Sequence, residues 1–142
     1  MAIDYSRKSN SEEDTNKIAI EFSKLIVDGM IISLIGNLGA GKTYFIKRIL
    51  EQFDINNANS PTFAIVNEYT GTKKFYHFDF YRINKEVELI DIGIEDYFND
   101  DEAISFIEWA DLFPKVIPHK KVEITINVLD DNSRIFKFKQ YE

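Results

Sequence analysis

The chain has 142 residues, enough for a single domain with a real core, read here as one domain over 1–142. Its hydrophobic fraction of 44% and charged fraction of 29% are those of a globular protein, and its net charge of −7 argues against strong nucleic-acid binding by this chain alone. It has no cysteine, which excludes disulfides and thiolate metal sites and fits a cytoplasmic protein, and no apolar run approaches the ~18 residues of a membrane span.

The N-terminus, Met1-Ala2-Ile3-Asp4-Tyr5-Ser6-Arg7-Lys8, has no signal-peptide core. Ser11-Glu12-Glu13-Asp14 reads as a helix cap. Ile18, Phe22, Leu25 and Ile26 then follow at helical spacing, which predicts an amphipathic helix ending near Gly29. Met30–Ile35 is a short apolar run, read as a buried strand. It leads into Gly36-Asn37-Leu38-Gly39-Ala40-Gly41-Lys42-Thr43, which matches the P-loop pattern G-x-x-x-x-G-K-S/T at every fixed position. Phe45, Ile46, Ile49, Leu50 and Phe53 recur at helical spacing behind it, so strand, glycine loop and helix follow in the order the motif requires.

That order carries chemistry. Glycines let the backbone bring N–H groups close to a ligand, and a helix start favours phosphate oxygens. Lys42 adds a compact positive charge for the β- and γ-phosphates, and Thr43 offers a hydroxyl to Mg²⁺. Lys47 and Arg48 read as a solvated helix face.

Asn56 to Asn59 is polar and reads as a loop. Strands are expected over Phe63–Tyr69 and Lys74–Phe80, joined at Gly71 as a hairpin, so the sheet should be mixed. Asn84 to Phe98 reads as one or two short helices broken at Gly93, and Ala103–Ile107 as an apolar strand ending at Glu108. Two alternating strands close the chain, around Val122, Ile124, Ile126 and Val128 and around Phe136 and Phe138, with Asp130-Asp131-Asn132-Ser133 as their turn.

A P-loop needs an acidic partner near its metal, usually at the end of a neighbouring strand. Asp79 and Glu108 both qualify: either carboxylate can hold Mg²⁺ while the other orients water, and spacing alone does not divide the roles. Asp100 and Asp101 lie on a loop that no buried strand delivers to the site. His77 reads as a structural histidine rather than a catalyst. Trp109 reads equally as a core residue or as a neighbour of the nucleotide. No N-K-x-D base-reading motif is present, which leans toward ATP over GTP.

The P-loop, Ser60-Pro61-Thr62-Phe63, His77-Phe78-Asp79-Phe80-Tyr81-Arg82 and Glu108-Trp109 occur together in one order. With these motifs the chain resembles the bacterial TsaE family, P-loop ATPases of the pathway that makes threonylcarbamoyladenosine in tRNA, from Ser11 to about Phe138. The resemblance implies an α/β, P-loop NTPase-like three-layer fold with a central mixed β-sheet. It implies ATP and Mg²⁺ as cofactors, with Thr43 and Glu108 as metal ligands and Lys42 and Asp79 as the catalytic pair. It places nucleotide contacts at Ser11, Thr15, Asn37, Leu38, Gly39, Ala40, Gly41, Lys42, Thr43, Tyr44, Trp109 and Arg134. Ser60–Phe63 is similar to the family's first switch and the segment around Asp79 to its second. Three positions depart from the family pattern: Tyr44 replaces a small hydroxyl residue, Ala110 a frequent proline, and Ser133 the glycine that usually precedes the arginine. The partners implied are TsaD and TsaB, the threonylcarbamoyl transferase pair, with tRNA reached only indirectly and no membrane contact. Two other readings share the P-loop: a small-molecule kinase, for which a lid and acceptor pocket are not evident, and a nucleotide switch that hardly hydrolyses.

Overall fold

The computed structural model describes residues 2–59 and 65–142. Ser60-Pro61-Thr62-Phe63 and the start of the strand expected from Phe63 lie outside the described residues. The elements run β1 (Asp4–Ser9), α1 (Glu12–Ser23), β2 (Ile31–Ile35), α2 (Lys42–Glu51), β3 (Val66–Thr70), β4 (Lys74–Asp79), α3 (Glu86–Asp91), α4 (Ile94–Phe98), β5 (Ala103–Glu108), β6 (Lys121–Val128) and β7 (Arg134–Tyr141). They build one seven-stranded sheet in the order β1-β7-β6-β2-β5-β4-β3. β2 pairs in parallel with β5 and β6, and β4 in parallel with β5, whereas β3, β7 and β1 join through antiparallel pairings. The mixed α/β sheet expected from the sequence is therefore observed.

Burial explains the layers. β2 carries no polar alternation because helices cover both of its faces. On one face Phe22 of α1 and Phe45, Ile46 and Ile49 of α2 pack on Leu34, Phe106, Ile124, Phe136 and Phe138. On the other, Leu89 of α3 and Ile94 and Phe98 of α4 pack on Ile31, Tyr76, Phe78 and Ile107. Gly93, at φ 73°, separates α3 from α4 as the sequence suggests. Among the described residues no helix is long and apolar enough to cross a membrane.

Two elements differ from expectation. α1 ends at Ser23 rather than near Gly29: Leu25 N and Ile26 N donate to the carbonyls of Phe22 and Ser23, three residues back, in tight turns. Periodicity reports which residues face the core, not which hydrogen bonds they make; Ile26 is buried outside the helix while Leu25 is exposed. The second difference is β1, which the sequence does not announce. It is a polar edge strand whose order comes from its ladder to β7 and from Tyr5 stacking on Phe138 at 4.5 Å.

The β3–β4 turn rests on the end of α2. Thr72 N donates to the Phe53 carbonyl at 2.9 Å, and a Cβ at Gly71 would lie 1.9 Å from that same oxygen and 2.8 Å from Ile55 Cγ1. Backbone cannot yield as a side chain does. Gly71→Ala is therefore expected to destabilise the fold by about 1–3 kcal/mol, the range of overpacking changes, read as a lower urea midpoint.

Candidate functional site: a P-loop facing two strand-end carboxylates

The register of the parallel strands assembles the site. Asp79 of β4 lies opposite Glu108 of β5, and Glu108 opposite Leu34 of β2, so both carboxylates sit at the strand ends from which the P-loop also departs. This is where open α/β sheets bind ligands. Gly41 precedes α2 in the left-handed region, at φ 100°, a conformation that suits glycine. Among the described residues no side chain caps α2 at Gly41, and the first turn of the helix borders the loop cavity.

Lys42 is buried, with 4% of its surface exposed. Its Nζ donates to the carbonyls of Gly36 (2.6 Å) and Asn37 (3.1 Å) and lies 4.2 Å over the Trp109 ring. Burial pulls the Lys42 pKa down, while Glu108, Asp79 and Asp111 nearby oppose that shift. Trp109 itself turns the chain in the left-handed region, at φ 58°. Thr43 Oγ1 lies 2.9 Å from both Glu108 carboxylate oxygens, and Glu108 Oε2 is also 2.6 Å from His77 Nε2. Asp79 is held differently: its Oδ1 accepts from Tyr81 N at 3.0 Å and so caps the short 3-10 turn Phe80–Arg82.

Two cavities meet here. The larger, of 450 Å³, is walled by Leu38, Gly39, Gly41, Lys42, Thr43, Tyr44, Asp79, Tyr81, Arg82, Glu108 and Trp109. The smaller, of 230 Å³, lies between α1 and the loop, walled by Glu12, Thr15, Ala40, Gly41, Tyr44, Arg134 and Phe136. Gly41 and Tyr44 border both. Arg134 Nε donates to the Ala40 carbonyl at 2.8 Å, which ties β7 to the P-loop. Tyr44 donates to Asn16 Oδ1 at 3.0 Å, which ties α2 to α1. Most of the residues singled out from the sequence thus line one of two adjoining cavities.

Two are placed otherwise. Ser11 caps α1, its Oγ accepting from Asp14 N at 3.0 Å. Asn37 gives its carbonyl to Lys42 and borders a separate cleft with Ile35, Gly36 and Trp109. Glu12, Phe136, Tyr81 and Arg82 are walls that sequence reasoning did not assign. Tyr81 and Arg82 end the motif around Asp79, and the Tyr81 ring packs 4.9 Å from that of Trp109, a contact no spacing reveals. Asp100 has a structural use, accepting from Tyr76 (2.8 Å) and Lys74 (3.1 Å).

The donors present suit magnesium. Among the described residues no cluster of three or more His, Cys, Asp or Glu side chains forms a metal cage. One hydroxyl and one carboxylate side by side at a phosphate-type loop are a hard oxygen set, and Mg²⁺ in nucleotide sites uses few protein ligands, with phosphates and water supplying the rest.

Asp79 lies in surroundings that resist its charge. Burial raises its carboxyl pKa above the ordinary value; Glu108 adds to the rise, and the Tyr81 N–H, His77 and Arg82 oppose it. A carboxyl whose folded pKa exceeds its unfolded value holds its proton more tightly when folded. Stability then falls as pH rises from the ordinary carboxylate range through the raised folded pKa. Asp79→Asn, which keeps the capping oxygen without the charge, is expected to raise the melting temperature at neutral pH. The gain should vanish in acid, measured by thermal unfolding without nucleotide or divalent ions.

The family model described as "Threonylcarbamoyl adenosine biosynthesis protein TsaE" matches residues 9–136. The chain belongs to the TsaE family. The TsaE match spans the walls of both cavities, from Glu12 to Phe136. Among TsaE relatives, the tRNA threonylcarbamoyladenosine biosynthesis protein TsaE of Rickettsia typhi is 34% identical over 134 residues, covering 92% of this chain and 92% of its own. That of Bacillus subtilis is 37% identical over 128 residues, 89% of this chain and 79% of its own. The crystal structure of Bacillus subtilis YdiB superposes with a TM-score of 0.81 at 29% identity, covering 100% of this chain and 88% of that one.

Proposed function

We propose that this chain is a magnesium-dependent ATPase that serves threonylcarbamoyladenosine modification of tRNA as an accessory to the transferase pair TsaD and TsaB in the cytoplasm. The observation that carries the reading is the convergence of the P-loop, Lys42, the Thr43–Glu108 pair and Asp79 on one 450 Å³ cavity, in a chain of the TsaE family. The smaller cavity beside Thr15 and Arg134 has the position to take the nucleoside.

The loop amides and Lys42 hold the phosphates and stabilise charge on them as the terminal bond breaks. Thr43 and Glu108 hold Mg²⁺, which when bound offsets charge on the phosphate oxygens. Asp79 positions the attacking water and accepts its proton; a raised pKa suits that task. Trp109 and Tyr81 form an aromatic wall beside Lys42. Hydrolysis is favoured over a kinase reaction by the segment between β4 and β5, the natural place for an acceptor lid. It folds instead into α3 and α4, whose Leu89, Ile94 and Phe98 are buried against the sheet.

An accessory ATPase signals only if its partner distinguishes nucleotide states. The test is a binding titration against purified TsaD–TsaB with ADP, ATP and a non-hydrolysable analogue, together with steady-state turnover. Tighter association in the ATP state and slow turnover by the chain alone are expected. Equal affinity in every state with unchanged turnover would overturn the partner reading. Rapid phosphorylation of a small acceptor would establish a kinase instead.

A further inference from the structure

His77 is a buried polar residue for which the roles above find no use. It lies on β4 two positions before Asp79, on the same face of the strand, and its register partner Phe106 lies two positions before Glu108. His77 and Glu108 are thus diagonal neighbours across the two strands, with 1% and 3% of their surfaces exposed. Their contact at 2.6 Å is short, as charge-assisted hydrogen bonds are. A proton on Nε2 meets a carboxylate oxygen; one on Nδ1 would meet no acceptor, for that atom is buried without a hydrogen-bond partner among the described residues. The network therefore assigns Nε2 as the donor. An apolar side chain among these aromatic neighbours would fill the same space without an orphaned nitrogen, so packing alone does not account for a histidine here.

We propose that His77 is a positioning residue: its Nε2–H grips Oε2 of Glu108 and fixes the carboxylate beside the Thr43 hydroxyl, in the orientation that receives the divalent cation. This rests on the reading of Glu108 as a metal ligand. Groups that orient a metal-binding side chain from behind change metal affinity by roughly ten- to a hundredfold when removed.

The test uses Mn²⁺ as the probe, titrated into the folded chain with ADP and followed by the electron spin resonance of free Mn²⁺, so that no turnover is needed. The variants are His77→Leu, His77→Gln and Glu108→Gln, with ADP binding also measured without divalent ions. His77→Leu is expected to weaken Mn²⁺ binding about tenfold and to leave divalent-free ADP binding unchanged. His77→Gln, whose amide nitrogen reaches the place of Nε2, is expected to restore it. Wild-type Mn²⁺ affinity in His77→Leu, or a His77→Gln as weak as His77→Leu, would overturn the proposal while a weakened Glu108→Gln upheld the metal reading. An unchanged Glu108→Gln would overturn the metal reading itself. Should His77→Leu not fold, the wild-type chain decides by nuclear magnetic resonance. The His77 Nε2 proton is expected to shift on adding Mg²⁺ with ADP but not with ADP alone, and an unmoved signal would overturn the proposal.

Discussion

Lys42→Ala is expected to lower ATP affinity ten- to a hundredfold, the loss of ~1.5–3 kcal/mol that accompanies removal of a hydrogen bond to a charged group. Turnover should fall further, by about 10²–10³, because phosphate charge is greatest when the bond breaks. The Nζ is already enclosed by the Gly36 and Asn37 carbonyls and the Trp109 ring, so the site is built around one compact cation. Lys42→Arg should therefore fail to restore binding: a planar guanidinium is too wide for that enclosure. Calorimetry reads the affinity, and circular dichroism reports that the fold persists. Unchanged binding in a folded Lys42→Ala variant would remove the P-loop assignment.

The two carboxylates are expected to separate by phenotype. Asp79→Asn should bind nucleotide normally and lose turnover by about 10²–10⁴, the usual span for a general base. Glu108→Gln should bind nucleotide with a weakened magnesium dependence, because the amide presents one oxygen where the carboxylate has two next to Thr43. Magnesium titrations at fixed nucleotide, with binding and hydrolysis recorded together, distinguish them. The reverse pattern would exchange the roles.

The P-loop was legible in the sequence because its chemistry resides in contiguous residue types: the loop glycines, then a lysine and a threonine at the start of a helix. β5, β6 and β7 were legible from apolar runs and alternation. Asp79 and Glu108 were visible as strand-end acids, but their alignment depends on β4 pairing with β5 in one register, a long-range choice that no local pattern encodes. The same limit hid β1, whose polar residues Asp4–Ser9 become a strand only because β7 lies beside them. It also hid the Arg134 bond to Ala40, which needs β7 and the P-loop on the same side of the sheet. The end of α1 was misjudged because Leu25 and Ile26 continue a helical rhythm after the helical hydrogen bonds have stopped.

The walls of the smaller cavity come from segments far apart in the sequence. Glu12 and Thr15 precede the P-loop, and Arg134 and Phe136 come long after it. A ribosome that has released the chain only as far as Glu108 has delivered the loop, Lys42 and both carboxylates, yet the pocket beside α1 still lacks a side. β1 too must wait for β7. Such a nascent chain cannot use the completed pocket to draw its fold together, because distant contacts of this kind close late. Any ligand that needs both walls meets only chains in which β7 has already been added, so loading waits on that strand.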